Sequence, residues 1–355
     1  MNGPWWQPIV ERAESEPDMP LEVLEQAIST ADSQHDERAG YELRSALINS
    51  CQERGRPDLI LTHFPWCLAF SHQLPPDERG DLLFRYRWAV SQAMDYPEIK
   101  RSRLEELIDD MADRYRREGY SPRGVWVLRV LMASHWCEPD LAAEAIREYP
   151  RCARDWLSDC LDTEASFAAR AQLRFWPAEH AERICSLQIS DPHHACQVKS
   201  ALLLPLLKLG LEQLAEQQHQ TSMRLSSRRR DEQAYVARGF SAVYLALSGR
   251  GEEAIELIER DLPTALHSIE LSEVVDFLAN AALVLGLAAD RVLTMRLDES
   301  LRQQRGIPAG PLTAGIVASW CREQASNLCA RYDQHSGNTF MSERFQKLLA
   351  MSPKD

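Results

Sequence analysis

The chain has 355 residues, of which 45% are hydrophobic and 26% charged, with a formal net charge of −13. That mix supplies enough apolar surface for an ordinary core and excludes general disorder; with 15 Gly and 19 Pro it also excludes collagen-like and low-complexity chains. The negative balance argues against broad, non-specific nucleic-acid binding, because such a field repels phosphate backbones.

The nine cysteines are odd in number and irregularly spaced, which argues against a disulfide framework and for reduced thiols in a cytoplasmic protein. The first residues, Met1 to Pro8, have neither a basic start nor an apolar run, so no signal peptide is expected there. The most apolar stretches, Ala201–Leu207 and Ala281–Ala289, fall far short of the roughly 20 residues of a membrane-spanning helix, and no membrane association is expected.

Period-two strand patterns between turn signals are absent along the sequence, and helical periodicity replaces them. Trp5 to Asp36 reads as a capping helix pair, with Leu21, Leu24, Ala27 and Ile28 on one stripe. Leu104, Leu107, Ile108 and Met111 mark a second amphipathic helix, and Ala254, Ile255, Leu257 and Ile258 a third. Between them, Pro57, Pro97, Pro139 and Pro177 each read as the first turn of a helix, where a missing N–H costs nothing. They recur at intervals of 40, 42 and 38 residues. Gly210 and Gly249, 39 residues apart, continue the rhythm as left-handed helix caps. A period near 40 predicts repeated helix–turn–helix units. At the C-terminal end, Pro308–Tyr332 reads as one helix, Ser336–Asn338 as a loop and Met341–Met351 as a last short helix.

The segment Gly249-Arg-Gly-Glu-Glu-Ala254-Ile-Glu-Leu-Ile258, preceded by Ala242 and Leu245, resembles a tetratricopeptide repeat. Ala242 takes the small position of the first helix, Leu245 the large one, Gly249 the turn, Ala254 the close-contact alanine and Ile258 the bulky residue of the second helix. Leu203, Leu206, Gly210 and Ala215 repeat the pattern less closely. The resemblance covers about residues 40–300 in rhythm and 195–265 in residues, and the signature Trp and closing Pro are mostly missing. It implies an all-α, right-handed superhelical solenoid of roughly seven antiparallel helix pairs: caps over 1–36 and 301–355, and repeats over 37–300. It also implies a non-catalytic scaffold that binds a protein or peptide on its concave face. Counting back from the turns puts Asn49, Arg87, Ser91, Arg170, Ser200 and Lys208 in that groove. The named charges are positive, so an acidic partner suits them.

Other motifs compete with that reading. Asp109, Asp110 and Asp113 have the spacing of the aspartate-rich motif of isoprenoid synthases, which places carboxylates one helical turn apart to hold magnesium. No second acidic motif accompanies them; Asp276 to Asn280 is the nearest. The arginines on either side make a solvated charged face the simpler reading. Cys185, His193, His194 and Cys196 bring soft ligands into twelve residues but lack paired Cys-x-x-Cys knuckles, so no metal is expected. Arg228-Arg229-Arg230 is the one run a nucleic-acid adaptor or regulator would use. Glycine-rich phosphate loops and nucleophile elbows are absent, and no cofactor or catalytic residue is expected. The tryptophans at 66, 88, 126, 136, 156 and 176 read as wedges between helices rather than as a binding surface.

Overall fold

The computed structural model of the chain describes residues 3–227, 234–268, 270–295 and 297–352, with the Glu53 side chain left aside. Those residues are all-α. The β-geometry among them is an isolated antiparallel bridge between Val292 and Thr313. No helix of the described residues is long and apolar enough to cross a membrane.

The chain forms two compact units. The first comprises residues 1–128 and 149–158, the second 129–148 and 159–355. This division falls within residues 37–300, the stretch the sequence reads as repeats. The first unit holds α1 (Gln7–Ser15), α2 (Leu21–Ser33), α3 (Glu37–Glu53), α4 (Pro57–Phe70), α5 (Pro76–Ala93) and α6 (Arg101–Glu118). Helix α7 (Arg123–Trp136) passes from the first unit into the second. The second unit continues with α8 (Pro139–Glu148), α9 (Leu161–Phe175), α10 (Pro177–Cys185), α11 (Pro192–Ala201), α12 (Leu203–Lys208), α13 (Glu212–Ser227) and α14 (Ala234–Leu247). It ends with α15 (Gly251–His267), α16 (Leu271–Gly286), α17 (Glu299–Arg305), α18 (Ala314–Ser336) and α19 (Phe340–Leu349).

Proline and glycine place several of the ends. Pro57, Pro139 and Pro177 are each the first residue of a helix. Pro97 is not. It sits at the second position of a β-turn closed by the Ile99 N–H on the Tyr96 carbonyl at 3.0 Å, a site that suits its fixed φ, and α6 starts four residues later at Arg101. The helix expected over Pro308–Tyr332 also begins later. Residues 308–313 run as a connection in which the Leu293 N–H meets the Leu312 carbonyl at 2.9 Å, and Thr313 caps α18 through its hydroxyl. Pro192 opens α11 behind Asp191, whose carboxylate accepts the His194 N–H at 2.9 Å.

In the first unit α2 packs on α3, α3 on α4, α4 on α5 and α5 on α6. Leu104, Ile108, Met111 and Tyr115 of α6 are buried, and the Tyr115 hydroxyl donates to the Leu83 carbonyl at 3.1 Å. In the second unit α9, α11, α14 and α16 form a row in which each helix packs on the next. A second set lies against that row: α10 on α9, α13 on α11 and α14, and α15 on α14 and α16. Helices α18 and α19 both pack on α16. Ala242, Leu245, Ala254 and Ile258 are buried at the α14–α15 contact. The two alanines leave room for the helices to approach, and no helix in the row buries its stripe alone.

Gly249 turns α14 into α15 at φ +80°, in open space. Replacing it with valine is therefore expected to cost about 1–2 kcal/mol through backbone strain alone. Gly251→Ala, in open space at a position without positive φ, is expected to cost nothing. Urea denaturation of both variants checks this; equal midpoints would reject the assignment of the turn.

Candidate functional site

Helix α9 is capped by Cys160, whose sulfur accepts the Thr163 N–H at 3.4 Å, and carries Asp162 and Glu164 in its first turn, where the helix dipole favours them. Asp162 also accepts the backbone N–H groups of Ser190 and Asp191 at 2.9 and 2.7 Å, which fixes the entry to α11. Ser166, Ala168, Ala169, Ala171 and Leu173 are buried. Arg170 and Arg174, one turn apart, fall outside that packed stripe. Arg170 is exposed and donates through Nη1 to the Gln197 Oε1 of α11 at 3.0 Å. Arg174 donates through Nη1 to the Ser134 carbonyl in the last turn of α7.

Three further elements meet these arginines. Helix α16 brings Glu273 and Asp276, which lie within electrostatic reach of Arg170. Helix α19 brings Arg344, paired with Asp276 at 2.9 Å. Asp333 of α18 orients α19 by accepting the Met341 and Ser342 N–H groups at 2.8 and 3.0 Å. The last turn of α7 joins the same cluster. The Asn338 amide donates to the Trp136 carbonyl at 2.7 Å across 202 residues of sequence. The His135 ring makes edge contacts with Tyr332 and His335, at centroid distances of 5.2 and 6.0 Å.

The surroundings oppose charge here. Burial, followed by the Arg344 charge, lowers the Arg174 guanidinium to about 10. Burial also lowers Arg170, although Glu273 and Asp276 pull the other way. Burial opposes the Arg344 charge too, but Asp276 beside it outweighs this and holds the group above its ordinary value. Burial, with His335 and Arg174 nearby, lowers His135 to about 3, so it is neutral at pH 7. The Cys137 thiol is pushed up to about 11 by burial, which makes it a poor nucleophile. Arg170 is exposed, whereas Arg174 and Arg344 are half-buried. Three guanidinium groups, Arg170, Arg174 and Arg344, gather there among the carboxylates of Glu273, Asp276 and Asp333.

The predicted groove residues divide. Arg170 belongs to this cluster. Lys208 is exposed, and burial of its stem together with Lys347 of α19 lowers its ammonium. Asn49 lines a cleft of the first unit with Gln52, Asp81, Phe84, Arg85 and Trp88. Ser91 is half-buried and donates to the Trp88 carbonyl at 3.0 Å. Arg87 and Ser200 correct the groove register. Arg87 is 4% exposed with its guanidinium 4.2 Å over the Phe84 ring, and Ser200 is 2% exposed and donates to its own helix at the Gln197 carbonyl. Both point into packing because a helix turns 100° per residue, so an offset of one position moves a residue from groove to interface.

The other motifs are engaged internally. Asp110 accepts from the Tyr86 hydroxyl at 2.8 Å and from Arg114 at 2.7 Å, and Asp113 pairs with Arg116. His194 bonds Thr163 at 2.8 Å, and the Cys196 thiol faces Ser222. Among the described residues no group of three His, Cys, Asp or Glu side chains converges on a metal-sized site. The run Arg228-Arg229-Arg230 lies outside the described residues. Trp136 is buried, as a wedge should be, whereas Trp156 is 50% exposed. Sequence reasoning missed Arg174, Glu273, Arg344 and His135 as site residues. The available signal was the Arg170–Arg174 pair beside a run of alanines, which marks a charged face on a helix otherwise built for close packing.

No family model matches the chain, and no curated protein matches it.

Proposed function

We propose that the chain is a tetratricopeptide-like helical-repeat scaffold that binds an acidic segment of another protein, without catalysis. The observation that carries the reading is the cluster in which Arg170, Arg174 and Arg344 gather beside the α9–α11–α14–α16 row. The row supports stacked helix pairs, since each helix packs on its predecessor with a second helix against it. The exposed Arg170 presents a planar fork matched to a peptide carboxylate. The nine cysteines are all free, which fits a reducing, cytoplasmic compartment. The magnesium reading has less support, because Asp110 and Asp113 already hold arginines. The nucleic-acid reading rests on the arginine run alone.

Arg170→Glu tests the assignment, since that side chain is exposed and its loss leaves the packed stripe of α9 intact. A fluorescein-labelled, blocked peptide rich in Asp and Glu is expected to bind the wild-type chain, more weakly as salt rises. It should lose at least about tenfold in affinity on Arg170→Glu, with helix content unchanged. Equal affinity for the two proteins would reject the site.

A further inference from the structure

The first unit carries a second site of different chemistry. Asn49 and Gln52 of α3, together with Asp81, Phe84, Arg85 and Trp88 of α5, line an open cleft of about 440 Å³. Phe84 and Trp88, one turn apart, meet at 79° with centroids 5.6 Å apart and form a right-angled corner of two rings. Trp156 stacks parallel to Phe84 at 6.5 Å and is half exposed. Gly80 makes this possible, because a Cβ there would fall 2.3 Å from the Trp156 ring. Gly80 itself is buried, and its missing side chain lets Trp156 and Tyr120 pack against α5 beside Phe84.

The polar groups around the corner are incompletely used. Arg85 donates through Nε to the Asn49 Oδ1 at 2.8 Å and lies within electrostatic reach of Glu42, so its charge is answered within the protein. Asp81 is exposed and has neither a hydrogen bond nor an ion pair from its side chain among the described residues. The Gln52 Oε1 is buried with no donor. The cleft therefore offers an aromatic corner, one unanswered carboxylate, an unused amide acceptor and the remaining donors of Arg85.

We propose that this cleft binds an extended peptide segment of a partner protein that presents an aromatic side chain next to a lysine or arginine. The aromatic ring packs edge-to-face in the Phe84–Trp88 corner, the arrangement ring quadrupoles favour. The basic neighbour answers Asp81. Main-chain N–H and C=O groups of the extended segment meet Gln52 and Arg85. An open cleft along two helices suits an extended chain, since a compact small molecule would bury too little of its surface there. The Arg170 cluster belongs to the other unit and prefers the opposite charge.

Panning a displayed library of random dodecapeptides against the full chain tests it, with the recovered peptides synthesised and titrated by calorimetry. Enriched sequences should pair Phe, Tyr or Trp with an adjacent Lys or Arg. Their affinity should fall at least about tenfold on Trp88→Ala and on Asp81→Lys, recover largely on Trp88→Phe, and stay unchanged on Arg170→Glu. Absence of enrichment, a consensus without aromatic residues, or indifference to Trp88→Ala would each overturn the proposal. Loss of binding on Arg170→Glu with none on Asp81→Lys would assign the peptides to the other unit and overturn it as well. Circular dichroism of every variant guards against unfolding as the cause.

Discussion

Asp261→Ala is expected to destabilise the second unit by about 3–5 kcal/mol. Asp261 lies on α15 with a side chain 3% exposed, and it receives two hydrogen bonds from Arg238 of α14 at 2.6 and 2.8 Å. Arg260 approaches the same carboxylate at 3.2 Å from the solvent side. Alanine would strand the Arg238 guanidinium, itself only 13% exposed, without an anion inside the hairpin. The penalty is the cost of that stranded charge and not the worth of the pair, so the double variant Asp261→Leu, Arg238→Met should recover much of the loss. At roughly 2–4 °C per kcal/mol for a unit of this size, the single variant should melt about 10 °C lower. A scanning-calorimetry shift under about 2 °C would mean that the pair is open to water. Arg260→Ala, at the exposed side, should change little.

Acid should weaken the same unit through His135. Its folded-state value is lowered to about 3, by burial first and then by His335 and Arg174, against an ordinary value of 6.5. Above pH 6.5 the ring is neutral in both states and stability is independent of it. Below 6.5 the unfolded chain takes up a proton that the folded chain refuses, so stability falls as pH drops through the window from 6.5 to 3. One refused proton costs about 1.4 kcal/mol per pH unit, which amounts to roughly 4 kcal/mol across most of the window. His63, His194 and His219 are also lowered by burial and add to the slope. The contribution of His135 is therefore read as the difference between wild type and His135→Gln. Urea midpoints measured from pH 7.5 to 4 should fall less steeply for the variant. Parallel curves would show that the ring titrates freely and that the contact of α7 with Tyr332 and His335 is loose.

The two effects sit on different links of the chain from sequence to structure. The Arg238–Asp261 pair belongs to a hairpin whose small residues and turn glycine are all legible locally: Ala242, Gly249 and Ala254 announce two helices that approach closely. Such features lie within one or two turns of each other along the chain. Propensity, capping and the period of apolar residues therefore fix them before any long-range contact forms. The proline-led starts at Pro57, Pro139 and Pro177, the buried stripe of α6 and the loop at Gly337 were readable for the same reason. Pro97 was not, because proline serves a turn as readily as a helix start, and only the hydrogen bond from Ile99 to Tyr96 distinguishes the two.

The candidate sites depended on tertiary structure. Arg170 could be named from the sequence, but its partners Asp276 and Arg344 come from helices more than 100 residues away, and no periodicity links them. The contact of Asn338 with Trp136 spans 202 residues, and it carries the last turn of α7 into the second unit. Arg87 and Ser200 illustrate the other limit. A helix rotates 100° per residue, so a register uncertain by one position cannot tell a groove from a packed interface, and the burial of these two side chains was settled only by neighbouring helices. Trp156 reverses the case: a large aromatic residue that composition would place inside stands half exposed, because Phe84, Tyr120 and the space left by Gly80 hold its ring at the surface. By itself the sequence determined that the chain would be helical, where several helices begin or end, and which stripes some of them bury, since those follow from local sterics and apolar area. Which charges end up together, and which rings stay in water, was decided by the packing of helices distant in the chain, because electrostatic and aromatic contacts act through space and carry no signature in spacing.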